Sequence, residues 1–145
     1  MWNEIINKSA LHEFMEKMNY FHDSCIKEVK YLSGAYVDED LAMYPVNDCR
    51  ILRMIVQRQY KNNSMIELQF EGVKCFKLFP QYDNTCEIYE ATMIMNDAGI
   101  FWCDEGKLVE SDLENYQGTL VCASKVKWRT INDSMGNKEF FINIK

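Results

Sequence analysis

The spacing of apolar residues predicts one amphipathic helix near the N-terminus. Within residues 9–18, apolar side chains recur at the i, i+3, i+4 and i+7 positions that share one face of an α-helix. These side chains belong to Leu11, Phe14, Met15 and Met18. Ser9 is the predicted N-cap, because its hydroxyl can accept a free backbone N–H of the first turn. Residues 4–8 contain no helix breaker, which leaves room for an earlier start near Asn3.

After residue 20 the apolar period changes to two, which indicates strands with one buried face. The alternation is clearest at Ile66, Leu68 and Phe70, which are separated by polar residues. Polar turn sequences at residues 61–64 and 96–99 separate neighbouring runs and predict antiparallel hairpins. The predicted strands cover residues 25–37, 49–60, 65–70, 73–79, 87–95, 100–103, 120–129 and 140–144.

Two glycines interrupt this alternation. Gly72 is predicted to form a turn or bulge between two strands, and Gly34 a bulge or turn in the first extended segment. The chain contains no internal repeat and no linker rich in Pro, Gly or Ser. The pattern therefore predicts one α+β domain over residues 1–145. A short helical segment over 1–20 is followed by a mostly antiparallel sheet of seven to nine strands over 21–145.

The charge balance argues against broad nucleic-acid binding. The 145 residues include 16 Lys and Arg against 22 Asp and Glu, for a formal net charge of −6. Phosphates repel an acidic surface, and nucleic-acid binding needs clustered cations. Two basic stretches are predicted to be solvated faces of strands. The first stretch contains Arg50, Arg53, Arg58 and Lys61, and the second contains Lys125, Lys127 and Arg129.

The sequence predicts a cytoplasmic protein with reduced cysteines and no membrane partner. The first residues lack the basic, apolar and small-residue regions of a secretory signal. Apolar runs are far shorter than the ~18–20 residues that span a bilayer. The six cysteines are spaced singly, without a CxxC pair. We expect reduced thiols, most of them acting as small hydrophobic side chains.

The string Phe21, His22, Asp23 and Ser24 is the most distinctive short motif. A histidine beside a carboxylate is a potential acid/base pair. Adjacent residues of an extended backbone point to opposite sides, however, which disfavours a direct relay. The favoured interpretation is structural: Asp23 or Ser24 caps a turn, and hydrogen bonds at the junction of helix and strand hold His22. The alternative is a small hydrolase or isomerase that uses His22 with Asp23 or Cys25.

The sequence assigns no catalytic residue and predicts no metal or cofactor site. The two histidines are His12 and His22, and neither belongs to an HExxH motif. His12 is expected on the exposed side of the helix. The glycines form no phosphate-binding loop such as GxGxxG.

Residues 104–114 concentrate negative charge, with five carboxylates and a single cation, Lys107. The carboxylates belong to Asp104, Glu105, Glu110, Asp112 and Glu114. Apolar residues lie among them, at Leu108, Val109 and Leu113. An acidic surface with apolar anchors can steer a basic protein partner and hold it by desolvation. We therefore predict a partner-binding surface here, and the alternative is a solvated surface loop.

Two strings together resemble a known family. They are residues 21–24, FHDS, followed by an extended segment, and residues 66–73, IELQFEGV. They resemble small bacterial proteins with an FHD-type start and a central F-E-G-V strand end, some of which are classed as immunity proteins of polymorphic toxin systems. The resemblance covers residues 18–78. The Trp-Pro before FHD and the Phe-Asn-x-Gln-Asn after the central strand of that family are replaced by other residues.

This resemblance implies a non-enzymatic α+β protein that binds and neutralises a cognate toxin, without an active site to carry over. The leading hypothesis is therefore a small cytoplasmic binding protein, an immunity-type inhibitor whose partner is a basic protein toxin. One alternative is the hydrolase or isomerase centred on His22. Another is a self-associating structural domain, because open sheet edges permit homo-oligomers.

Overall fold

The computed structural model describes residues 1–80, 86–131 and 135–143. Helix α1 (Lys8–Lys17) is followed by a 3₁₀ turn at Asn19–Phe21, and further 3₁₀ turns lie at Glu110–Asp112 and Phe141–Asn143. The strands are β1 (Asn3–Glu4), β2 (Ser24–Leu32), β3 (Tyr36–Val37), β4 (Met43–Tyr44), β5 (Ile51–Arg58), β6 (Met65–Lys77), β7 (Glu87–Ile88), β8 (Thr92–Asn96), β9 (Gly99–Cys103) and β10 (Leu120–Ile131). No helix in these ranges is long and apolar enough to cross a membrane.

The main sheet is antiparallel, with the strand order β7-β2-β5-β6-β10-β9-β8. β1 pairs with β10 beside this path, with Asn3 opposite Trp128. β3 and β4 form a separate two-stranded hairpin. The predicted α+β fold, with one N-terminal helix and a mostly antiparallel sheet, is therefore confirmed.

Helix α1 covers one face of the sheet. It begins after Asn7, whose side chain accepts the Ala10 N–H at 2.8 Å, so the prediction of Ser9 as the N-cap was wrong. Asparagine caps a helix as well as serine does, and the apolar period does not separate the two. The predicted apolar face of the helix is buried against sheet residues that include Met54, Leu68 and Trp128. Each large apolar side chain buried there contributes roughly 1.5–3 kcal/mol.

Two predictions about the first and middle segments were wrong. Asn3–Glu4 forms β1 rather than the start of the helix, because its backbone pairs with β10. β6 is one strand of 13 residues rather than two strands. It passes through Gly72, whose φ is +64°, because the flanking residues stay paired with β10 on both sides of the glycine.

The predicted last strand was also wrong. Phe140 precedes a 3₁₀ turn, Phe141–Asn143, rather than extending into a strand. The Glu28 carboxylate fixes this segment, because it accepts the N–H of Phe140 at 2.7 Å and that of Phe141 at 3.2 Å. Ile144 lies outside the described residues.

The sheet face opposite α1 carries a buried charge cluster. Glu67 is 0% exposed, and its carboxylate accepts the Nε–H of Arg53 at 2.5 Å and that of Arg129 at 2.6 Å. The ring of Phe141 lies 5.1 Å from the Arg53 guanidinium, and that of Trp2 lies 4.6 Å from Arg129. These two arginines were predicted to be solvated. They are instead paired and covered, because segments from both ends of the chain pack over this face.

Arg58 also departs from the predicted solvated face. It is buried on the α1 side of the sheet, where its guanidinium donates to the carbonyl oxygens of Met18 and Asn63 at 3.0 Å each. Its guanidinium also stacks on the ring of Tyr60. Burial lowers the pKa of Arg58. The two carbonyl oxygens tie the end of α1 to the turn between β5 and β6, whereas the buried Nε of Arg58 has no hydrogen-bond partner among the described residues.

The six cysteines are free thiols. Cys103 and Cys122 are buried, whereas Cys49, Cys75 and Cys86 are exposed. The expectation that most of the six act as small hydrophobic side chains was therefore wrong for the three that are exposed. Burial raises the pKa of Cys103 to about 12, so this thiol stays protonated at neutral pH.

Candidate functional site

The motif at residues 21–24 lies where the helical segment meets the sheet, and its first residue belongs to the core. Phe21 is fully buried and packs edge-on against Phe14 and Trp102, at centroid distances of 5.7 and 6.0 Å. Ser24 is also buried, and its Oγ donates to the His22 carbonyl at 3.4 Å. The apolar and hydroxyl members of the motif therefore serve packing and the local turn.

His22 and Asp23 form an exposed pair. His22 Nδ1 lies 3.0 Å from Asp23 Oδ1, and the two side chains are 54% and 41% exposed. The expectation that these neighbours point apart was wrong, because Asp23 has a φ of +55° and the backbone is not extended there. Neither residue lines the two cavities described below. The pair faces solvent and lacks the enclosed, apolar surroundings of a typical small-molecule site.

A left-handed turn precedes this pair. Asn19, Tyr20 and Phe21 have φ values of +47°, +53° and +59°. Such backbone costs roughly 1–2 kcal/mol per residue outside glycine. Tertiary contacts hold the turn, because the Tyr20 carbonyl accepts the Ala91 N–H at 2.7 Å and Asn19 Nδ2 donates to the Tyr60 hydroxyl at 2.8 Å. Together with the burial of Phe21, these contacts explain the strain without a ligand.

Cys25, the third residue of the enzyme hypothesis, has a raised pKa. Burial, followed by the nearby Cys86 thiol, raises the pKa of Cys25. A cysteine nucleophile needs the opposite shift, because the thiolate is the reactive form. Phe21 and Ser24 fit the structural interpretation of the motif, because both are buried. The expectation that hydrogen bonds at the junction hold His22 was wrong, because its side chain is 54% exposed and contacts Asp23.

We expect His22→Asn to change the free energy of unfolding by no more than about 0.5 kcal/mol, because the side chain is exposed and its contact with Asp23 is a surface pair. Thermal denaturation followed by circular dichroism measures the change. His12→Asn, at an exposed position of α1, is the matched control. If His22→Asn lowered the free energy of unfolding several times more than the control does, the exposed placement of this side chain would be contradicted.

The acidic segment is a packed loop, and we call residues 104–118 the acidic loop. The Asp104 carboxylate accepts the Tyr116 hydroxyl and, at 3.1 Å, the Thr119 N–H. Leu113 and Tyr116 are buried in a small cluster with Cys103. Burial, reinforced by the hydrogen bond to Asp104, raises the pKa of Tyr116. The loop therefore has a defined conformation that Leu113 and Tyr116 anchor, while most of its other residues are exposed.

The five predicted carboxylates divide into two groups. Asp104 is turned inward as described, and Asp112 accepts the Val109 N–H at 2.8 Å, so these two shape the loop. The other three are exposed, and no ion pair within the described ranges neutralises them. They are Glu105, Glu110 and Glu114.

A concavity of about 1090 Å³ lies between the acidic loop and the segment that joins β7 to β8. Among the described residues, its lining includes several carboxylates and one cation. The carboxylates include those of Glu90, Asp104, Glu105 and Asp112, and the cation is Lys107. The ring of Tyr89 also lines this concavity and is 71% exposed. An exposed aromatic ring beside carboxylates is typical of a protein-binding surface.

A second cavity, of about 330 Å³, adjoins the first, and Asp104 lines both. Its lining is largely apolar and includes Ile26, Val29 and Ile88. Glu28 also lines it, but its carboxylate is engaged by the backbone of the C-terminal segment. The Glu28 carboxylate of this cavity therefore contributes to the fold.

Sequence reasoning missed another acidic and apolar segment, residues 33–48, which we call the arm. It leaves the sheet between β2 and β5 and contains the β3–β4 hairpin. Between Lys30 and Arg50 the sequence has four carboxylates and no Lys or Arg, with apolar residues interspersed. This signal was available, but the predicted strands end at residue 37 and resume at residue 49, and the residues between them were not examined as a binding segment.

Among the described residues, no group of three or more His, Cys, Asp or Glu side chains is arranged to hold a metal ion. The fold and surface define the class of protein: an α+β protein in which one helix covers an antiparallel sheet beside an acidic concavity that includes an exposed aromatic ring. No family model, curated protein or solved structure matches the chain.

Proposed function

We propose that this protein is a non-enzymatic inhibitor that binds a basic protein, as in a toxin–immunity pair. One observation carries the proposal: a single concavity combines the exposed carboxylate of Glu105 with the exposed ring of Tyr89. The three free cysteines on the surface fit a reducing compartment such as the cytoplasm.

The two kinds of side chain have separate roles in binding. Carboxylates of one sign attract a cationic partner and accelerate encounter, mostly at long range and low salt. The aromatic ring supplies a contact that gains free energy once water is excluded. Because Asp104 and Asp112 fix the loop from within, the exposed carboxylates are presented on a preorganised scaffold, which lowers the ordering cost of binding.

We expect the triple variant Glu105→Gln, Glu110→Gln, Glu114→Gln to lose partner binding by about tenfold or more, mainly through slower association. The tagged full-length chain serves as bait in an extract of the cell that encodes it. A recovered protein is then purified and its binding to wild type and variant is measured by calorimetry. Toxicity of the recovered protein on expression, relieved by co-expression of this chain, tests the inhibitory role.

The matched control changes three carboxylates outside the acidic loop. Glu13→Gln, Glu16→Gln and Asp97→Asn are exposed positions that alter the net charge by the same amount. The control is expected to bind as wild type does. Equal binding of all three proteins, or recovery of an acidic partner, would refute the proposal.

A further inference from the structure

The arm, residues 33–48, is held by its own contacts. At its tip, Asp38 Oδ1 accepts the N–H groups of Asp40 at 2.9 Å and Ala42 at 3.0 Å. Tyr36 lies opposite Tyr44, and their rings stack with centroids 4.8 Å apart. The arm therefore has a defined hairpin conformation without packing on the main core.

Both faces of this hairpin expose apolar side chains. Opposed residues share a face and neighbours alternate, so Tyr36 and Tyr44 occupy one face, and Val37 and Met43 the other. Met43 is 70% exposed, and Leu41 at the tip is 84% exposed. An isolated two-stranded hairpin is marginally stable in water. Apolar groups exposed on both of its faces indicate that another surface covers them.

The charge of the arm indicates which kind of partner surface covers it. Four carboxylates and no cation lie between Lys30 and Arg50. Pairing of two arms from two copies of this chain would bring like charges together, which destabilises strand pairs. A surface with cations and apolar side chains complements both features.

We propose that the arm inserts into a cleft of a protein partner that carries Lys and Arg at its rim and apolar side chains inside. The carboxylates of the arm meet the cations of the rim, and the two apolar faces of the hairpin are desolvated within the cleft. This binding element lies outside the acidic loop and acts without it, so it goes beyond the proposed function.

The test uses three strand-length peptides with fluorescent labels as probes. One alternates Lys and Val, one alternates Lys and Ser, and one alternates Glu and Val, so charge and apolar character are varied separately. We expect the full-length chain to bind the Lys/Val peptide at least about tenfold more tightly than either of the others, as measured by fluorescence anisotropy. This binding weakens as salt rises from about 50 to about 300 mM.

The variant Val37→Thr, Leu41→Asn, Met43→Thr removes the exposed apolar groups and leaves the tyrosine pair and Asp38 in place. Leu41 has a φ of +65°, which asparagine tolerates. We expect this variant to melt as wild type does and to lose at least about tenfold of its affinity for the Lys/Val peptide. The control variant replaces exposed apolar residues elsewhere. It carries Ile6→Thr, Met135→Thr and Ile142→Thr.

Several outcomes would overturn the inference. They are unchanged affinity of the arm variant, equal binding of the Lys/Ser or Glu/Val peptide, and sedimentation of wild type as a dimer that the arm variant converts to a monomer. The last outcome would identify a second copy as the occupant. The triple variant of the acidic loop is included and is expected to lose less affinity for the Lys/Val peptide than the arm variant does, so failure of the arm and failure of the acidic loop are distinguished.

Discussion

Glu67→Ala lowers the free energy of unfolding by about 3–5 kcal/mol, the range found when one member of a buried ion pair is removed. The Glu67 carboxylate is fully buried and is shared by Arg53 and Arg129. Its removal leaves two neighbouring guanidinium groups without their counter-charge and opens a cavity beneath them. Urea denaturation followed by tryptophan fluorescence measures the loss, because Trp2 lies over Arg129.

The matched control for this prediction is Glu71→Ala on the same strand and face. Its carboxylate is 33% exposed and pairs with Lys127 at 2.9 Å, and this hydrogen bond lowers the pKa of Glu71. A pair of this exposure contributes at most about 1 kcal/mol. A loss for Glu67→Ala no larger than that for Glu71→Ala would contradict the buried cluster.

A variant that replaces all three members of the cluster tests how much the buried charges themselves contribute to the free energy of unfolding. The triple variant Arg53→Met, Glu67→Leu, Arg129→Met removes all three charged groups and keeps similar volume. We expect its free energy of unfolding to lie close to that of wild type, because well-packed apolar residues often replace a buried ion triad without loss. Such a result would show that the large effect of Glu67→Ala comes from the arginines left unpaired.

Phe21→Ala lowers the free energy of unfolding by about 3–5 kcal/mol, the range for large aromatic truncations in a core. Phe21 is fully buried, and its edge contacts with Phe14 and Trp102 are lost together with its apolar area. The melting temperature should fall by roughly 10–15 °C, and differential scanning calorimetry measures this shift. The left-handed turn that ends at Phe21 should also loosen, because packing of the ring helps to hold its backbone.

Tyr89→Ala is the control for this truncation, since that ring is 71% exposed and its loss should cost no more than about 0.5 kcal/mol. A large decrease in the free energy of unfolding for Phe21→Ala, together with a small one for His22→Asn, would identify the motif as a structural junction. The reverse order would indicate that Phe21 is not the residue that ties the helical segment to the sheet.

The fold was largely predictable because it depends on local periodicity. Apolar side chains, which avoid water, recur at helical spacing from Leu11 to Met18 and at alternate positions from Ile66 to Phe70. Those positions are buried as expected. Chain ends and caps were less predictable. Asn7 and Ser9 are both good N-caps, so the pattern does not distinguish them. The alternating residues after Phe140 are compatible with a strand and also with a 3₁₀ turn.

The candidate site was predictable only in part. The carboxylates of residues 104–114 were found from charge density alone, but the inward role of Asp104 depends on Tyr116 and Thr119. The closeness of His22 and Asp23 depends on the positive φ of Asp23, which the local sequence pattern does not indicate. The arm escaped detection because residues 33–37 were assigned to the strand predicted over residues 25–37, and residues 38–48 to no element, although no side chain of the arm belongs to the main core.

The sequence by itself determined the class of fold, one helix on a mostly antiparallel sheet, because the apolar periods of 3.6 and two residues are properties of neighbouring positions. The tertiary structure decided which charges are buried. Glu67 and Arg129, 62 residues apart, meet because β6 and β10 pair, and Trp2 and Phe141 then cover the cluster from opposite ends of the chain. Local pattern assigns a residue to a face of a strand, and only the segments that pack over that face determine whether it meets water.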